Sequence, residues 1–122
     1  MNIDEFEAVE AQLSSAREEL LVLVKKSPHD ALSPFKLSLV NGLLRRANAL
    51  LATDERPLAS FDQFDSDTLP SNSDVVIVLA QYLAALENLR VKHIVWTRGG
   101  WYWQERKGEP SRRTYAPRKL RT

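Results

Sequence analysis

The chain of 122 residues has the size of one domain, and its 43% hydrophobic and 27% charged residues are typical of a globular protein. It has no cysteine, which excludes a disulfide framework, a cysteine-ligated metal site and thiol catalysis. The net charge of +1 hides a division, because residues 1–90 hold 8 basic against 14 acidic residues (−6) and residues 91–122 hold 9 against 2 (+7).

No segment of the sequence predicts export or a membrane span. The first residues are acidic through Glu10, whereas a secretory signal needs a basic start followed by an apolar segment. The longest apolar-rich segment, residues 75–86, is interrupted by Gln81 and is shorter than the ~18 residues that a membrane helix needs. We therefore expect a cytoplasmic protein that does not act in a membrane, and the absence of cysteine fits a reducing compartment.

An apolar stripe predicts the first helix, which Asn2 caps and which ends at Lys25 and Lys26 before Pro28. Its apolar residues recur at spacings of three and four in a heptad-like seam, made of Phe6, Val9, Leu13, Leu20 and Leu23 together with Ala16. The seam can pair with its copy in a homodimer or pack inside one subunit. The sequence leaves both alternatives open.

Ser33 followed by Pro34 predicts the start of a second helix, which continues to about Ala52. Gly42 interrupts this helix, and we interpret it as a point of close packing against the first helix. Residues 53–73 are rich in turn formers and acids and predict a loop, anchored by Phe61, Phe64 and Leu69 or by a short helical turn.

A third helix is predicted from Ser71 and Asp74 to about Arg90, by a capping-box-like start and an apolar face. This helix is apolar around much of its circumference. The pattern indicates a central helix that is covered on more than one side, either by the same chain or by a second subunit.

Residues 91–96 and 101–106 are rich in β-branched and aromatic residues and flank the glycine-containing connection at residues 97–100. They predict a β-hairpin. The residues that follow are polar, basic and aperiodic and predict a flexible tail. The expected fold is therefore mainly α, with a three-helix core formed by a helical hairpin and a central third helix. The helical domain with its β-hairpin spans residues 1–106, and a disordered basic tail spans residues 107–122.

The sequence contains none of the recognised catalytic motifs. It has no Gly-rich phosphate loop, no nucleophile elbow and no zinc-protease motif, and its two histidines are isolated. The acidic residues of the loop lack the glycine and the terminal glutamate of a calcium site. We expect no enzyme activity, no cofactor, no metal and no small-molecule substrate.

Aromatic and basic residues occur together near the C-terminus, and this combination is used to bind macromolecules. The candidate partner-binding residues are Lys92, Trp96, Arg98, Tyr102, Arg106, Lys107, Arg112, Arg113, Arg118 and Lys119. An equally direct interpretation is that Trp101 and Trp103, which share one face of the hairpin, close the hydrophobic core.

Three hypotheses for the function remain at this point. The leading one is a non-enzymatic regulatory or adaptor protein that binds another protein, as a homodimer. A second is nucleic-acid binding through the hairpin and tail. In the third, the acidic body and the basic tail pair with each other, within or between subunits, so that the charge division is structural or autoinhibitory.

Overall fold

The computed structural model describes residues 1–119 and contains three α-helices and one three-stranded antiparallel sheet. The helices are α1 (Ile3–Lys26), α2 (Pro34–Leu50) and α3 (Asn72–Val91), and the strands are β1 (Ile94–Thr97), β2 (Gly100–Arg106) and β3 (Glu109–Thr114). The mainly helical fold with three core helices and a C-terminal hairpin is confirmed. Within this part of the chain, no helix is long and apolar enough to cross a membrane.

The helices begin where the capping residues predict. Asn2 accepts a hydrogen bond from the Glu5 amide at 3.0 Å, and Ser71 accepts one from the Asp74 amide at 3.2 Å. Ser33 caps α2, with Pro34 at the first helical position. Each cap satisfies a backbone donor that would otherwise have no partner in the first turn.

The core lies mainly between α1 and α3, which pack against each other more extensively than α1 packs against α2. Gly42 does not mark the close packing between helices that the sequence predicts. A Cβ atom added there would meet only the guanidinium of Arg45, at an ordinary distance of 3.8 Å. The glycine instead leaves an open groove between α1 and α2.

The long segment between α2 and α3 is anchored to the core of the protein. It begins with a short 3-10 helix at Thr53–Glu55, and Phe61 and Phe64 pack against the core. The buried side chain of Asn41 donates to the carbonyl of Phe64 and accepts from its amide, at 3.0 and 2.9 Å. These contacts hold an irregular segment in one place.

The sheet follows α3 directly, in the order β1, β2, β3. Arg98 and Gly99 both have positive φ angles, 51° and 74°, as the tight turn between β1 and β2 requires. The predicted hairpin is therefore present, but it begins at Ile94 rather than Val91 because α3 continues through Val91.

The structure differs from the expected flexible tail, because residues 109–114 form the third strand and pair with β2. Residues 115–119 have no regular secondary structure, and Tyr115, Ala116 and Arg118 make hydrogen bonds to α1 and α3. Residues 120–122 of the predicted tail lie outside the described residues. The sequence did not predict this strand because its residues do not alternate between apolar and polar. Polar and ionic contacts hold the strand in place instead.

Candidate functional site

An ion pair buried within α3 is the most unusual chemical feature of the protein. Glu87 and Arg90 lie one turn apart and are 3% and 0% exposed. Nε and Nη2 of Arg90 each donate to one carboxylate oxygen of Glu87 at 2.8 Å. Such a bidentate contact neutralises both charges where water cannot reach them.

The remaining donors of Arg90 hold the C-terminal segment. Nη1 donates to the hydroxyl of Thr114 at 3.1 Å and to the carbonyl of Tyr115 at 2.8 Å, and Nη2 donates to the carbonyl of Ala116 at 2.9 Å. All five N–H groups of this guanidinium are therefore used. Three of the five depend on residues that follow β2.

Residues 115–118, which we call the strap, are held by side chains as well as by Arg90. The amide of Arg118 donates to Glu87 Oε2 at 2.8 Å. The ring of Tyr115 lies between the guanidinium groups of Arg90 and Arg118, whose carbon atoms are 4.0 and 4.3 Å from the ring centroid. Its hydroxyl donates to Glu10 on α1.

Acidic residues on one face of α1 pair with the basic C-terminal segment. Arg112 bridges Asp4 and Glu7, and Arg118 contacts Glu10 at 2.9 Å. The two oppositely charged parts of the chain therefore meet within the subunit, as the third hypothesis expects. Part of the charge division is structural.

The protonation states follow from these contacts. Burial alone would raise the pKa of Glu87, but hydrogen bonds from Arg90 and from the Arg118 amide outweigh it and lower that pKa. Burial alone would lower the pKa of Arg90, but the hydrogen bond to Glu87 outweighs this effect and the pKa is raised. Partial burial and the contact with Glu10 raise the pKa of Tyr115, so its hydroxyl remains a donor.

The structure does not bring the predicted partner-binding residues together in one patch. Arg112 and Arg118 pair with α1, and Lys92 pairs with Glu55 at 3.2 Å. Tyr102 is half-buried on the outer face of the sheet, with Arg113 beside its ring. The other predicted residues are exposed, namely Trp96, Arg98, Arg106, Lys107 and Lys119.

The three tryptophans have different environments. Trp103 is buried, and its ring packs edge-on against Phe6 at 5.1 Å between centroids. Trp101 is half-buried, whereas Trp96 is 60% exposed and contacts only the edge of Trp101 among the aromatic rings of residues 1–119. Trp103 therefore belongs to the core and Trp96 to the surface.

The predicted seam on α1 is used inside the subunit. Phe6, Val9 and Leu13 are fully buried, Leu20 is nearly so, and Leu23 packs partly buried against the same core. Of the two alternatives, intramolecular packing is the one observed. These residues are not available as a dimer seam in the folded chain.

A groove between α1 and α2 presents the apolar surface that sequence reasoning missed. Phe35 and Leu39, one turn apart on α2, are 73% and 57% exposed. Leu39 and Gly42 line a cavity of about 760 Å³, and Phe35 with Leu39 lines a second one of about 350 Å³. The signal in the sequence is that Phe35, Leu39 and Leu43 follow one another at spacings of four, which places them along one side of the second helix.

Comparison with protein-family models, with curated proteins and with solved structures finds no match to this chain.

The buried ion pair predicts how stability depends on pH. Because the pKa of Glu87 is lower in the folded chain than its ordinary value of about 4.3, its contribution is present above that value and is lost as the pH falls through the folded pKa. We expect Glu87→Gln to lower the free energy of unfolding by about 3 to 5 kcal/mol at pH 7, since it leaves Arg90 charged and unpaired.

Urea denaturation at pH 7 and at pH 3 measures the difference in the free energy of unfolding between Glu87→Gln and the wild type. The difference in the free energy of unfolding should shrink at the lower pH, because below the ordinary pKa of glutamate the unfolded wild-type chain binds a proton that the folded chain resists. Glu18→Gln, on the exposed face of α1, is the matched control and should leave stability nearly unchanged. Equal stability of Glu87→Gln and the wild type at pH 7 would contradict the role of the pair.

Proposed function

We propose that the protein is a non-enzymatic regulatory or adaptor protein that acts through protein–protein interaction, as a homodimer whose two copies meet at the groove between α1 and α2. The observation that carries the proposal is the pair of exposed apolar side chains, Phe35 and Leu39, at this groove. Exposed apolar residues that cluster at a groove are typical of interaction surfaces, whereas scattered ones are not. A cytoplasmic location belongs to the same proposal.

The chemistry around the groove supports a protein partner. Its apolar residues, Leu39 and Leu43 among them, are bordered by Glu19, Arg45 and Arg46. An apolar centre with a charged rim resembles the anatomy of protein interfaces. An amphipathic helix is the element that fits such a groove best.

The charges of the two helices support a second copy of this chain as one partner. α2 carries Lys36, Arg45 and Arg46 and no acidic residue, whereas α1 places the exposed carboxylate of Glu19 at the groove. In a twofold arrangement each α1 would lie near the basic α2 of the other copy. Opposite charges at the rim favour that register.

The titratable groups support a binding role over catalysis. Glu87 is the buried carboxylate among residues 1–119, and both of its oxygens accept hydrogen bonds from arginine groups. A carboxylate in that environment stays ionised, and because its oxygens already accept these hydrogen bonds it is not placed to take a proton from a substrate.

Leu39→Asp tests the groove. The charge should abolish self-association measured by sedimentation equilibrium at tens of micromolar, because an unpaired carboxylate would be buried at the apolar centre of the interface. The side chain is exposed in the single chain, so the circular dichroism spectrum should not change.

Ile77→Asp on α3 is the matched control, since Ile77 is equally exposed and lies away from the groove. It should leave the association constant unchanged. A wild-type chain that remains monomeric at these concentrations would contradict the homodimer, and equal association of both variants and the wild type would contradict the groove.

A second candidate function is the binding of single-stranded nucleic acid by the sheet. The observation that favours it is Trp96, whose exposed ring lies close in sequence to Arg98 at the hairpin turn. Arg98, Arg106 and Lys107 make no ion pair within residues 1–119, so they are free to meet phosphates. Exposed aromatic rings with nearby cations bind bases and backbone together.

The salt dependence of oligonucleotide binding tests this candidate. Replacing Arg98 and Lys107 by alanine should make the slope of log affinity against log salt shallower by about 1.4, because each lost phosphate contact contributes about 0.7 for single strands. Alanine at Lys25 and Lys26, at the end of α1, is the control and should leave the slope unchanged. Binding that is undetectable in low salt would contradict nucleic-acid recognition.

A further inference from the structure

The strap lies in a cleft between α1 and α3 and makes contacts that are usual for a bound peptide. It has no regular secondary structure, and its backbone is recognised by side chains rather than by a strand. Arg90 binds two successive carbonyls, and Glu87 binds one amide. The bidentate pair between these two side chains does not involve the strap, and it orients both of them toward the strap backbone.

Two side chains of the strap add selectivity to these backbone contacts. The ring of Tyr115 fills the space between two guanidinium groups, and its hydroxyl contacts Glu10. The guanidinium of Arg118 reaches the same carboxylate of Glu10 at 2.9 Å and approaches Glu87 at 3.5 Å. The cleft therefore recognises an aromatic residue and, three positions later, a cation.

The cleft is longer than the strap that occupies it. A cavity of about 430 Å³ continues along α1 and α3 beside Arg118, lined by the small residues Ala11, Ser14 and Ala80 and by Leu83 and Arg17. Small side chains let another backbone approach closely. Nε of Arg17 is buried and has no acceptor among the described residues, so a ligand with a carbonyl or carboxylate could use it.

We propose that this cleft is a binding site for an extended basic peptide, which the chain's own residues 115–118 occupy and from which a peptide of the same chemistry in trans can displace them. The ligand carries an aromatic hydroxyl and an arginine three residues later. It presents two carbonyls to Arg90 and one amide to Glu87, as the strap does.

The strap is suited to displacement. Its residues are exposed to solvent on their outer side, and its contact between Arg118 and Glu10 is a partly exposed ion pair of the kind that contributes little stability. Its advantage is attachment to the same chain, which gives it an effective concentration in the millimolar range. A free peptide therefore binds weakly until the strap is weakened.

This site is independent of the groove between α1 and α2. The cleft uses Glu10, Ser14 and Arg17 of α1, whereas the groove uses Gln12, Ser15 and Glu19. Failure of either proposal therefore leaves the other untouched.

Binding of a fluorescent peptide to the full-length chain tests the proposal. The peptide has the sequence of residues 113–119, Arg-Thr-Tyr-Ala-Pro-Arg-Lys, and the protein carries Tyr115→Ala and Arg118→Ala. By fluorescence anisotropy we expect this variant to bind at least about tenfold more tightly than the wild type, because its own strap competes less well. Should the double replacement unfold the chain, Arg118→Ala alone gives the same comparison with a smaller increase.

Two controls separate recognition from charge attraction. Adding Glu10→Gln to the double variant should weaken peptide binding several-fold, whereas adding Glu18→Gln should not. A scrambled peptide of the same composition should bind at least about tenfold more weakly than the ordered one. Equal binding of the two peptides, equal binding by variant and wild type, or no saturable binding to the variant would each overturn the proposal.

Discussion

Arg90 places a full positive charge inside the protein, and the rest of the C-terminal structure follows from the need to satisfy it. Glu87 neutralises the charge but takes only two of the five donors. Left without acceptors, the other three would carry the penalty of buried polar groups. Thr114, Tyr115 and Ala116 supply the three acceptors. The need to pair every N–H group of Arg90 therefore fixes the position of the end of β3 and of the strap.

The same constraint explains how the charges of the chain are distributed. Once the strap is fixed to α3, Arg112 and Arg118 lie beside the acidic first turns of α1, and the ion pairs with Asp4, Glu7 and Glu10 follow. The hydrophobic core needs only one face of α1, which leaves its other faces for the strap and for the groove beside α2. Different faces of α1 therefore contact the hydrophobic core, the strap and the groove beside α2.

The sequence predicted the elements whose signals are local. Asn2, Ser33 and Ser71 mark helix starts because capping involves residues three apart, and Gly99 marks the hairpin because the turn needs positive φ. It did not predict β3, which pairs with the adjacent β2 but has no apolar alternation. It did not predict the strap either, because the contacts of the strap join residues that are about 25 to 108 positions apart. Charged residues have no period that reveals such pairing. One signal was present: Glu87 and Arg90 interrupt a helix that is otherwise apolar around most of its circumference.

The most direct test of this account is amide hydrogen exchange at Arg118. This amide belongs to a segment without regular secondary structure, yet it donates to the buried carboxylate of Glu87 at 2.8 Å. If the buried pair holds the strap, the amide of Arg118 exchanges at least about a hundredfold more slowly than in an unstructured peptide. Exchange at the rate of the unstructured peptide would contradict the account.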